Sequence, residues 1–267
     1  MRKVEKYIYA IIVFILFIVI ACGITYVIAT KNNDKIQDNQ KDEKVSLSDT
    51  ELLQLISYVP TELTIGPDDY LKDSTNVKTI DKELLRNVAL NSIVDCLETG
   101  CPFEVKKIAL KYEIDFSEYE IGEELRGIPL SYVNSVLFKM YNYQLENVKE
   151  GQVFNAFGMG YLIQDDCFVP FAGGSSQDSV IHYIEKYDAT KDEVVIYDYT
   201  AWYSNDEVFY DAYSTYSISV PLSSMGDDYY DDYLPIYLKE HKDKFTKHKH
   251  VFKRNSSGYY WYATYII

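Results

Sequence analysis

The sequence predicts an α+β fold: an N-terminal transmembrane helix, then a helical segment, then a mostly antiparallel β-sheet. Three observations lead to this prediction. A long uncharged stretch opens the chain, apolar residues then recur every three or four positions, and after Glu150 they alternate with polar residues. The 267 residues therefore divide into a cytoplasmic tail and signal anchor at 1–30, a disordered polar tether at 31–48 and an extracytoplasmic α+β domain at 49–267. This domain is predicted to be helical over 49–145 and β-rich over 146–267.

The first element is the apolar stretch from Tyr7 to Thr30, in which none of the 24 residues is charged. As a helix it is about 36 Å long, which covers the ~30 Å hydrocarbon core of a bilayer. Basic residues in the short tail ahead of it favour a cytoplasmic N-terminus. We therefore expect a single-pass protein of the cell membrane whose C-terminal domain is extracellular.

Cys22 leaves a second kind of anchor open. The residues Val19 to Cys22 resemble a bacterial lipobox, in which the cysteine carries the lipid. However, the apolar run continues for eight residues beyond Cys22, whereas lipoprotein precursors usually turn polar soon after the cysteine. The length of the run favours an uncleaved signal anchor, with a lipoprotein anchored at Cys22 as the alternative.

Three helices are predicted in the first half of the domain. Ser48 followed by Glu51 is a capping-box pattern at the start of the first. Asp81 caps the second, and Pro129 lies in the first turn of the third. Residues 103–117 alternate only in part, so both a strand and a helix stay open there.

The second half is predicted to contain three hairpins and one further strand. "GYLIQ" and "CFVPF" flank Asp165 and Asp166, and "SVIHYIEKY" and "EVVIYDYTAWY" flank "DATKD". The last hairpin pairs "KHKHVFKR" with "GYYWYATYI" across "NSSG". Residues 208–220 are predicted as a single strand, and the whole as an antiparallel sheet.

Between Gly127 and Thr264 this arrangement resembles a group of uncharacterised, membrane-anchored exported proteins of bacteria. The resemblance rests on "LSYVNSVLFKMYN", "GYLIQDDCFVPFAGG", "VIHYIEKYDATKDEVVIYDY" and "HVFKRNSSGYYWYAT". This chain has Tyr141 and Asn142 where that pattern would close the helix with Phe-Gly. The resemblance implies an exported, anchored protein and carries over no activity and no functional residue.

Three cysteines lie beyond the apolar stretch: Cys96, Cys101 and Cys167. An odd number cannot all pair within one chain. Cys96 and Cys101 either form a local disulfide in an oxidising exterior or stay reduced, since some bacterial exteriors form disulfides poorly. Cys167 has apolar neighbours, which predicts a small buried residue rather than a nucleophile.

The formal net charge of −15 excludes one class of partner. So acidic a surface repels nucleic acid and anionic lipid headgroups. The charge is also segregated, because residues 165–233 hold 15 acids and two lysines, whereas residues 234–254 hold seven Lys or Arg and two acids. The two segments either neutralise each other or present a bipolar surface to a cell-wall polymer or another partner.

Tyrosine is the feature that points to binding. The chain has 27 tyrosines, 16 of them after residue 165. A tyrosine ring offers an apolar face and a polar tip, which suits stacking on sugars or gripping a peptide. The predicted binding residues are Tyr197, Tyr199, Trp202 and Tyr203. We expect a non-enzymatic binding or interaction module of the cell envelope, with a cell-wall glycan or another envelope protein as partner; tyrosines packed on the wet face of a sheet are the alternative.

An exported envelope hydrolase is the rival function. "GGSSQDSVIH" brings Ser175 and Ser176 near His182, and Asp198 lies on the next predicted strand. A serine, a histidine to take its proton and a carboxylate to orient the histidine are what nucleophilic hydrolysis needs. The chain lacks a G-x-S-x-G elbow, and "AGGSS" is also typical of a polar turn.

Two groups of residues could hold a metal, although we expect no bound cofactor. The first is an acidic run that offers the hard oxygen donors Ca²⁺ prefers, without the order of an EF-hand. It comprises Asp227, Asp228, Asp231 and Asp232. An exposed acidic turn is the alternative there. The second is His248 and His250, which share one face of a strand at a spacing that binds a transition metal weakly. The lysines between them favour a solvated basic face instead.

Overall fold

The computed structural model describes residues 44–60, 75–94, 96–112, 125–156, 159–172, 179–204, 207–209, 217–219 and 236–267. By its internal contacts the chain divides into residues 1–44 and a unit from Val45 to Ile267, which holds all of the elements below. The predicted membrane span at 7–30, with Cys22, lies outside the described residues. Among the helices that are described, none is long and apolar enough to cross a membrane.

The described part of the chain is an α+β fold with few helices and two antiparallel sheets. The helices are α1 (Asp49–Ile56), α2 (Lys82–Val94), α3 (Cys96–Thr99) and α4 (Leu130–Tyr141), with a helical turn at 236–240 and a 3₁₀ turn at Lys242–Lys244. The strands are β1 (Thr75–Asn76), β2 (Lys106–Ile108), β3 (Leu125–Pro129), β4 (Val153–Ala156), β5 (Met159–Gln164), β6 (Cys167–Ala172), β7 (Ser179–Ala189), β8 (Glu193–Ser204), β9 (Glu207–Phe209), β10 (Ser217–Ser219), β11 (Thr246–Asn255) and β12 (Gly258–Ile266).

The two sheets differ in size and in chain order. The smaller one, within the described residues, has five strands in the order β2-β3-β6-β5-β4. The larger has seven: β1-β12-β11-β8-β9-β10 in order, with β7 paired to β8. The pairing of β8 with β11 joins two hairpins that are distant in sequence, and it is this pairing that builds the site described below.

The helix starts follow the predicted local signals. Ser48 and Glu51 form the capping box of α1, with Ser48 Oγ accepting from the Glu51 backbone N–H and Glu51 accepting from that of Ser48. Asp81 accepts from the Glu83 N–H ahead of α2, and Pro129 stands directly before α4. Asn142 ends α4 in the left-handed conformation, with φ of 52°. It thus takes the C-terminal capping position at which the resemblance led us to expect a glycine.

All three predicted hairpins are present. The turn between β5 and β6 consists of Asp165 and Asp166, whose φ angles are 55° and 59°. Positive φ at both central positions defines the two-residue turn that matches the twist of paired strands, and aspartate tolerates it better than most residues. The β7–β8 hairpin contains a bulge, because Ile184 pairs with Asp198 and Lys186 with Tyr197, which leaves Glu185 as the extra residue.

Two predictions about strands are wrong. The single strand expected at 208–220 is two short strands, β9 and β10, which pair antiparallel with each other. The segment expected to be helical also contains β1, β2 and β3, the second of which lies in the ambiguous stretch 103–117. These three strands pair with residues far along the chain, so tertiary contacts decide their conformation rather than local pattern.

The helices and both sheets share one core. It includes Leu85 and Leu90 of α2, Leu137 of α4, Phe168 of the smaller sheet and Trp261 of the larger. The larger sheet therefore has a covered face toward this core and a second face that carries other chemistry. A satellite cluster, which includes Cys167, packs on the smaller sheet.

Candidate functional site

A buried carboxylate at the centre of the larger sheet organises the candidate site. Asp198 of β8 stands opposite His248 of β11, and His250 stands opposite Ile196. His182 of β7 stands opposite Thr200. Because paired residues point to the same side of a sheet, all of these side chains lie on the covered face.

Both oxygens of Asp198 contact histidines. Its Oδ2 lies 2.6 Å from Nδ1 of His182, and its Oδ1 lies 2.8 Å from Nε2 of His250. Asp198 and His250 are fully buried, and the side chain of His182 is 13% exposed. We call His182, Asp198 and His250, together with His248, the His–Asp cluster.

His250 is also held on the side of its ring that faces away from Asp198. His250 Nδ1 lies 2.8 Å from Oγ1 of Thr264, which also accepts the indole N–H of Trp261 at 2.9 Å. Since the indole uses one lone pair of the threonine oxygen, the hydroxyl proton and the second lone pair remain for His250 Nδ1. Thr264 can therefore hold the His250 ring either as donor or as acceptor toward Nδ1, while Nε2 faces Asp198.

His248 completes the cluster through a threonine. Its Nδ1 lies 3.0 Å from Thr200 Oγ1 and 4.0 Å from Asp198 Oδ1, and its ring stacks on that of His250 with centroids 5.7 Å apart. Thr200 Oγ1 in turn donates to Asp198 Oδ2 at 3.4 Å. The carboxylate is thus surrounded by donors, which is what a buried charge requires.

Burial and hydrogen bonding act in opposite directions on these groups. Burial alone would raise the pKa of Asp198, but electrostatic attraction and hydrogen bonds from His250 and His182 outweigh it and hold that pKa below its usual value. Burial lowers the pKa of His248 to about 4, which outweighs the opposing effect of Asp198. At neutral pH the site therefore contains a carboxylate and a neutral His248.

Two chemistries fit this arrangement. Ligand atoms from His182, Asp198 and His250 all lie within 4.8 Å of one another, as in a site for a metal ion. In addition, a carboxylate that accepts from Nδ1 of a histidine orients Nε2 as a base, as in a hydrolytic triad. Ser175 and Ser176, the serines predicted to complete such a triad, lie outside the described residues.

The interpretation of His248 and His250 as a solvated basic face is wrong. Their side chains are 1% and 0% exposed. The lysines between and beside them, Lys247 and Lys249, do not oppose this, because the period of two in a strand sends them to the other face. Sequence reasoning placed His182 near Asp198 but missed His250 as a partner. The available signal was the pair of polar residues, Asp198 and Thr200, spaced by two in an otherwise apolar strand.

The opposite face of the larger sheet carries tyrosines and lysines in register. Tyr183 pairs with Tyr199, Tyr199 with Lys247, Tyr197 with Lys249, and Lys249 with Tyr265. We define the Tyr–Lys face by the following residues: Tyr183, Lys186, Tyr197, Tyr199, Lys247, Lys249, Lys253, Tyr262 and Tyr265. The side chains of these residues are half-buried or exposed.

Contacts within the Tyr–Lys face are mainly between rings and ammonium groups. The Nζ of Lys253 lies 3.7 Å from the ring centroid of Tyr262, and that of Lys186 lies 4.6 Å from that of Tyr197. Glu185 binds Lys242 and Lys247 at 2.8 and 2.5 Å, which lowers the pKa of its carboxyl to about 2. Beyond these pairs an open depression of about 540 Å³ is lined by Lys249, Lys253, Tyr262 and Tyr265 among others.

The remaining predicted residues fall into three groups. Of the predicted binding residues, Tyr197 and Tyr199 lie on the Tyr–Lys face, while Trp202 and Tyr203 are described only as backbone of β8. The run Asp227, Asp228, Asp231 and Asp232 lies outside the described residues. Cys96 and Cys101 are joined by a disulfide, and Cys167 is buried, which raises the pKa of its thiol.

Comparison of the chain with known protein families, curated proteins and solved structures finds no match. The resemblance to exported bacterial proteins therefore stays a prediction.

Proposed function

We propose that the chain is a membrane-anchored, extracytoplasmic binding module of the bacterial cell envelope, and that its Tyr–Lys face binds an anionic glycan. The observation that carries this proposal is the alternation of tyrosine rings with lysines across β7, β8, β11 and β12. Sugar rings stack on aromatic faces, and phosphate or carboxylate groups along the same polymer pair with ammonium groups.

The charge distribution supports an anionic ligand. The chain as a whole carries −15, so a row of lysines on one face is a local exception. Within the part of the chain that the structure describes, no carboxylate lies at ion-pair distance from Lys186, Lys249 or Lys253. These three contact tyrosine rings instead, which leaves their charge available to a ligand.

The predicted anchor gives such a module its place. A span at 7–30 followed by a polar tether would hold the domain beside the wall polymers of the outer surface. Ligand density there is high, so that an open face of modest affinity is sufficient. A deep pocket is not needed for this function.

A binding assay on the full chain in detergent micelles tests the proposal. The probe is a polymer of sugar-phosphate units, with a neutral glucan for comparison, and the readout is isothermal titration calorimetry at 50 and 300 mM salt. We expect binding of the phosphate polymer that weakens at the higher salt. Equal binding of the neutral glucan, or none of either polymer, would overturn the proposal.

Matched lysine variants locate the binding surface. Replacing Lys186, Lys249 and Lys253 together by Gln should weaken binding by about tenfold or more, since three charges at the ligand are lost. The control set is Lys106→Gln, Lys139→Gln and Lys149→Gln, which makes the same change of charge at exposed positions outside the larger sheet. Equal loss in both sets would show that only net charge matters.

An aromatic variant separates stacking from charge. Tyr199→Ala, which removes one ring and keeps every lysine, should weaken the same binding by about 1 kcal/mol or more if a sugar stacks there, as loss of an aromatic anchor does in other interfaces. Tyr132→Ala on α4 is the control. Loss in the lysine set but not in Tyr199→Ala would restrict the proposal to an ionic contact.

An exported envelope hydrolase is the second candidate, favoured by the 2.6 Å contact between His182 Nδ1 and Asp198. It would use Ser175 or Ser176 as the nucleophile. An activated phosphonate that labels nucleophilic serines tests it on the full chain. Labelling that disappears in Ser175→Ala or Ser176→Ala, and in His182→Asn, would support hydrolysis, and absence of labelling would exclude a serine mechanism.

A further inference from the structure

We propose that His182, Asp198 and His250 bind one divalent transition-metal ion, with Zn²⁺ as its representative. The site lies on the covered face of the larger sheet and is independent of ligand binding by the Tyr–Lys face. It also does not depend on the predicted serine nucleophile.

The donor set favours this class of ion. Two imidazoles and one carboxylate are ligands of zinc, iron, nickel and copper, whereas Ca²⁺ and Mg²⁺ require mainly oxygen donors. Each of the three residues offers an atom within 4.8 Å of the others. Three protein ligands leave a tetrahedral ion one further position, which a water molecule or His248 can take.

Binding of one ion requires shifts in the positions of the ligand atoms. The nitrogens of His182 and His250 lie 2.6 and 2.8 Å from the carboxylate oxygens, close enough for direct hydrogen bonds. Atoms that share one ion at about 2.0–2.1 Å lie about 3.3 Å apart in a tetrahedral site. An entering ion would thus displace the shared protons and lengthen these two contacts by about 0.5–0.7 Å. It would also draw the two histidine nitrogens, which lie within 4.8 Å of each other, toward the same spacing.

The surroundings hold the ligands as metal sites do. The ring nitrogen of His250 that faces away from Asp198 is held by Thr264, and Trp261 holds Thr264 in turn. Metal-bound histidines almost always have such a partner on the second nitrogen, which fixes the ring and its tautomer. All three ligands lie on strands of one sheet, which are more rigid supports than loops.

An ion could enter beside His182. Asp198 and His250 are fully buried, while the His182 side chain is 13% exposed. His182 therefore forms the solvent-facing side of the site. This also makes it the residue whose replacement disturbs the core least.

The site is tested by zinc binding to the full chain in detergent. The chain is first stripped of metal by a chelator and dialysed. We expect one equivalent of Zn²⁺ by elemental analysis after gel filtration, and a melting temperature raised by about 5–10 °C at a hundredfold excess over Kd. Co²⁺ at the same site should give the strong visible absorption of a tetrahedral complex. CaCl₂ should leave the melting temperature unchanged.

The ligand variants keep the shape of the hydrogen bond but not the metal affinity. His182→Asn replaces Nδ1, and His250→Gln replaces Nε2, by an amide nitrogen in a similar place. Each should lower zinc affinity at least tenfold. The matched control is His241→Gln, since His241 is the remaining histidine of the chain and bonds the carbonyl of Tyr237 at 3.0 Å.

Near-ultraviolet circular dichroism establishes that each variant is folded, and His182→Asn alone is sufficient if His250→Gln does not fold. Less than about 0.2 equivalents of zinc on the unaltered chain would overturn the proposal. So would zinc binding that survives in folded His182→Asn, or that is lost to the same extent in His241→Gln. In those cases the cluster is an internal hydrogen-bond network.

Discussion

The two faces of the larger sheet are built from the same strands and differ in almost every respect. Along β11 the even-numbered residues His248 and His250 are buried with Asp198, whereas the odd-numbered Lys247 and Lys249 lie among tyrosines on the other face. Polar groups on the covered face are buried, so the loss of any hydrogen-bond partner there lowers the free energy of unfolding strongly. The Tyr–Lys face places its charges where water can replace a partner. The energetic weight of a polar residue here therefore depends on its face more than on its type.

The strongest way to break this contrast is Asp198→Ala. It leaves His182 and His250 facing a cavity without an acceptor, and loss of one member of a buried ionic network costs about 3–5 kcal/mol in the free energy of unfolding. Urea unfolding followed by tryptophan fluorescence measures it. The exposed Asp188 on β7 is the control, for which Asp188→Ala should change the free energy by less than about 0.5 kcal/mol. Similar losses for both variants would refute the distinction.

A smaller effect is expected from Thr264→Val, which keeps the side-chain shape and removes only Oγ1. The Nδ1 of His250 and the indole N–H of Trp261 both lose their partner in the core. The free energy of unfolding should fall by about 1–3 kcal/mol. Thr79→Val removes a hydroxyl from an exposed turn, where water replaces it, and serves as the comparison in the same urea titration.

The smallest effect belongs to the Tyr–Lys side, in Glu185→Gln. The partners of Glu185 are Lys242 and Lys247, and its depressed pKa means that the charged form stabilises the fold. That stabilisation is present above the usual carboxyl pKa of 4.5 and is lost as the pH falls through about 2.

At pH 7 the variant should melt about 2 °C lower or less, because partly exposed ion pairs contribute little. The difference from the unaltered chain should shrink as the pH falls from 4.5 to 2, and also in high salt. Thermal melts across this range test it, with Glu193→Gln as the matched change on β8. If the difference in melting temperature instead grew toward acid pH, the charged form of Glu185 would not be the one that stabilises the fold.

Local features of the fold were predictable from sequence, because their causes lie within a few residues. The capping box at Ser48 and Glu51 and the Asp165–Asp166 turn each depend on side chains that contact their own backbone neighbourhood. The three hairpins likewise follow from a period of two and a short turn. The break between β9 and β10 does not, since the tyrosine-rich residues around it look like continuous strand.

The sequence could predict two separate parts of the site but not that they come together. His182 and Asp198 belong to one hairpin and could be placed together, and His248 with His250 belong to another. The pairing of β8 with β11 unites them across about fifty residues, and no local pattern specifies it. The lysines beside His248 and His250 led to the wrong prediction of a solvated basic face. The composition of the segment does not show that the sheet places its lysines on one face and its histidines on the other.

The bulge at Glu185 has a consequence for how this chain can change in length. His182 and Tyr187 are separated by five positions, an odd number that would put them on opposite faces of a regular strand. Their partners Thr200 and Ile196 nevertheless share the covered face. The extra residue thus resets the phase of β7. Removal of Glu185 alone would leave every other side chain on its present face, while removal of Ile184 would bring a glutamate opposite Asp198. Among descendants of this sequence we expect substitutions at the exposed positions of β7, but a single-residue deletion only at the bulge.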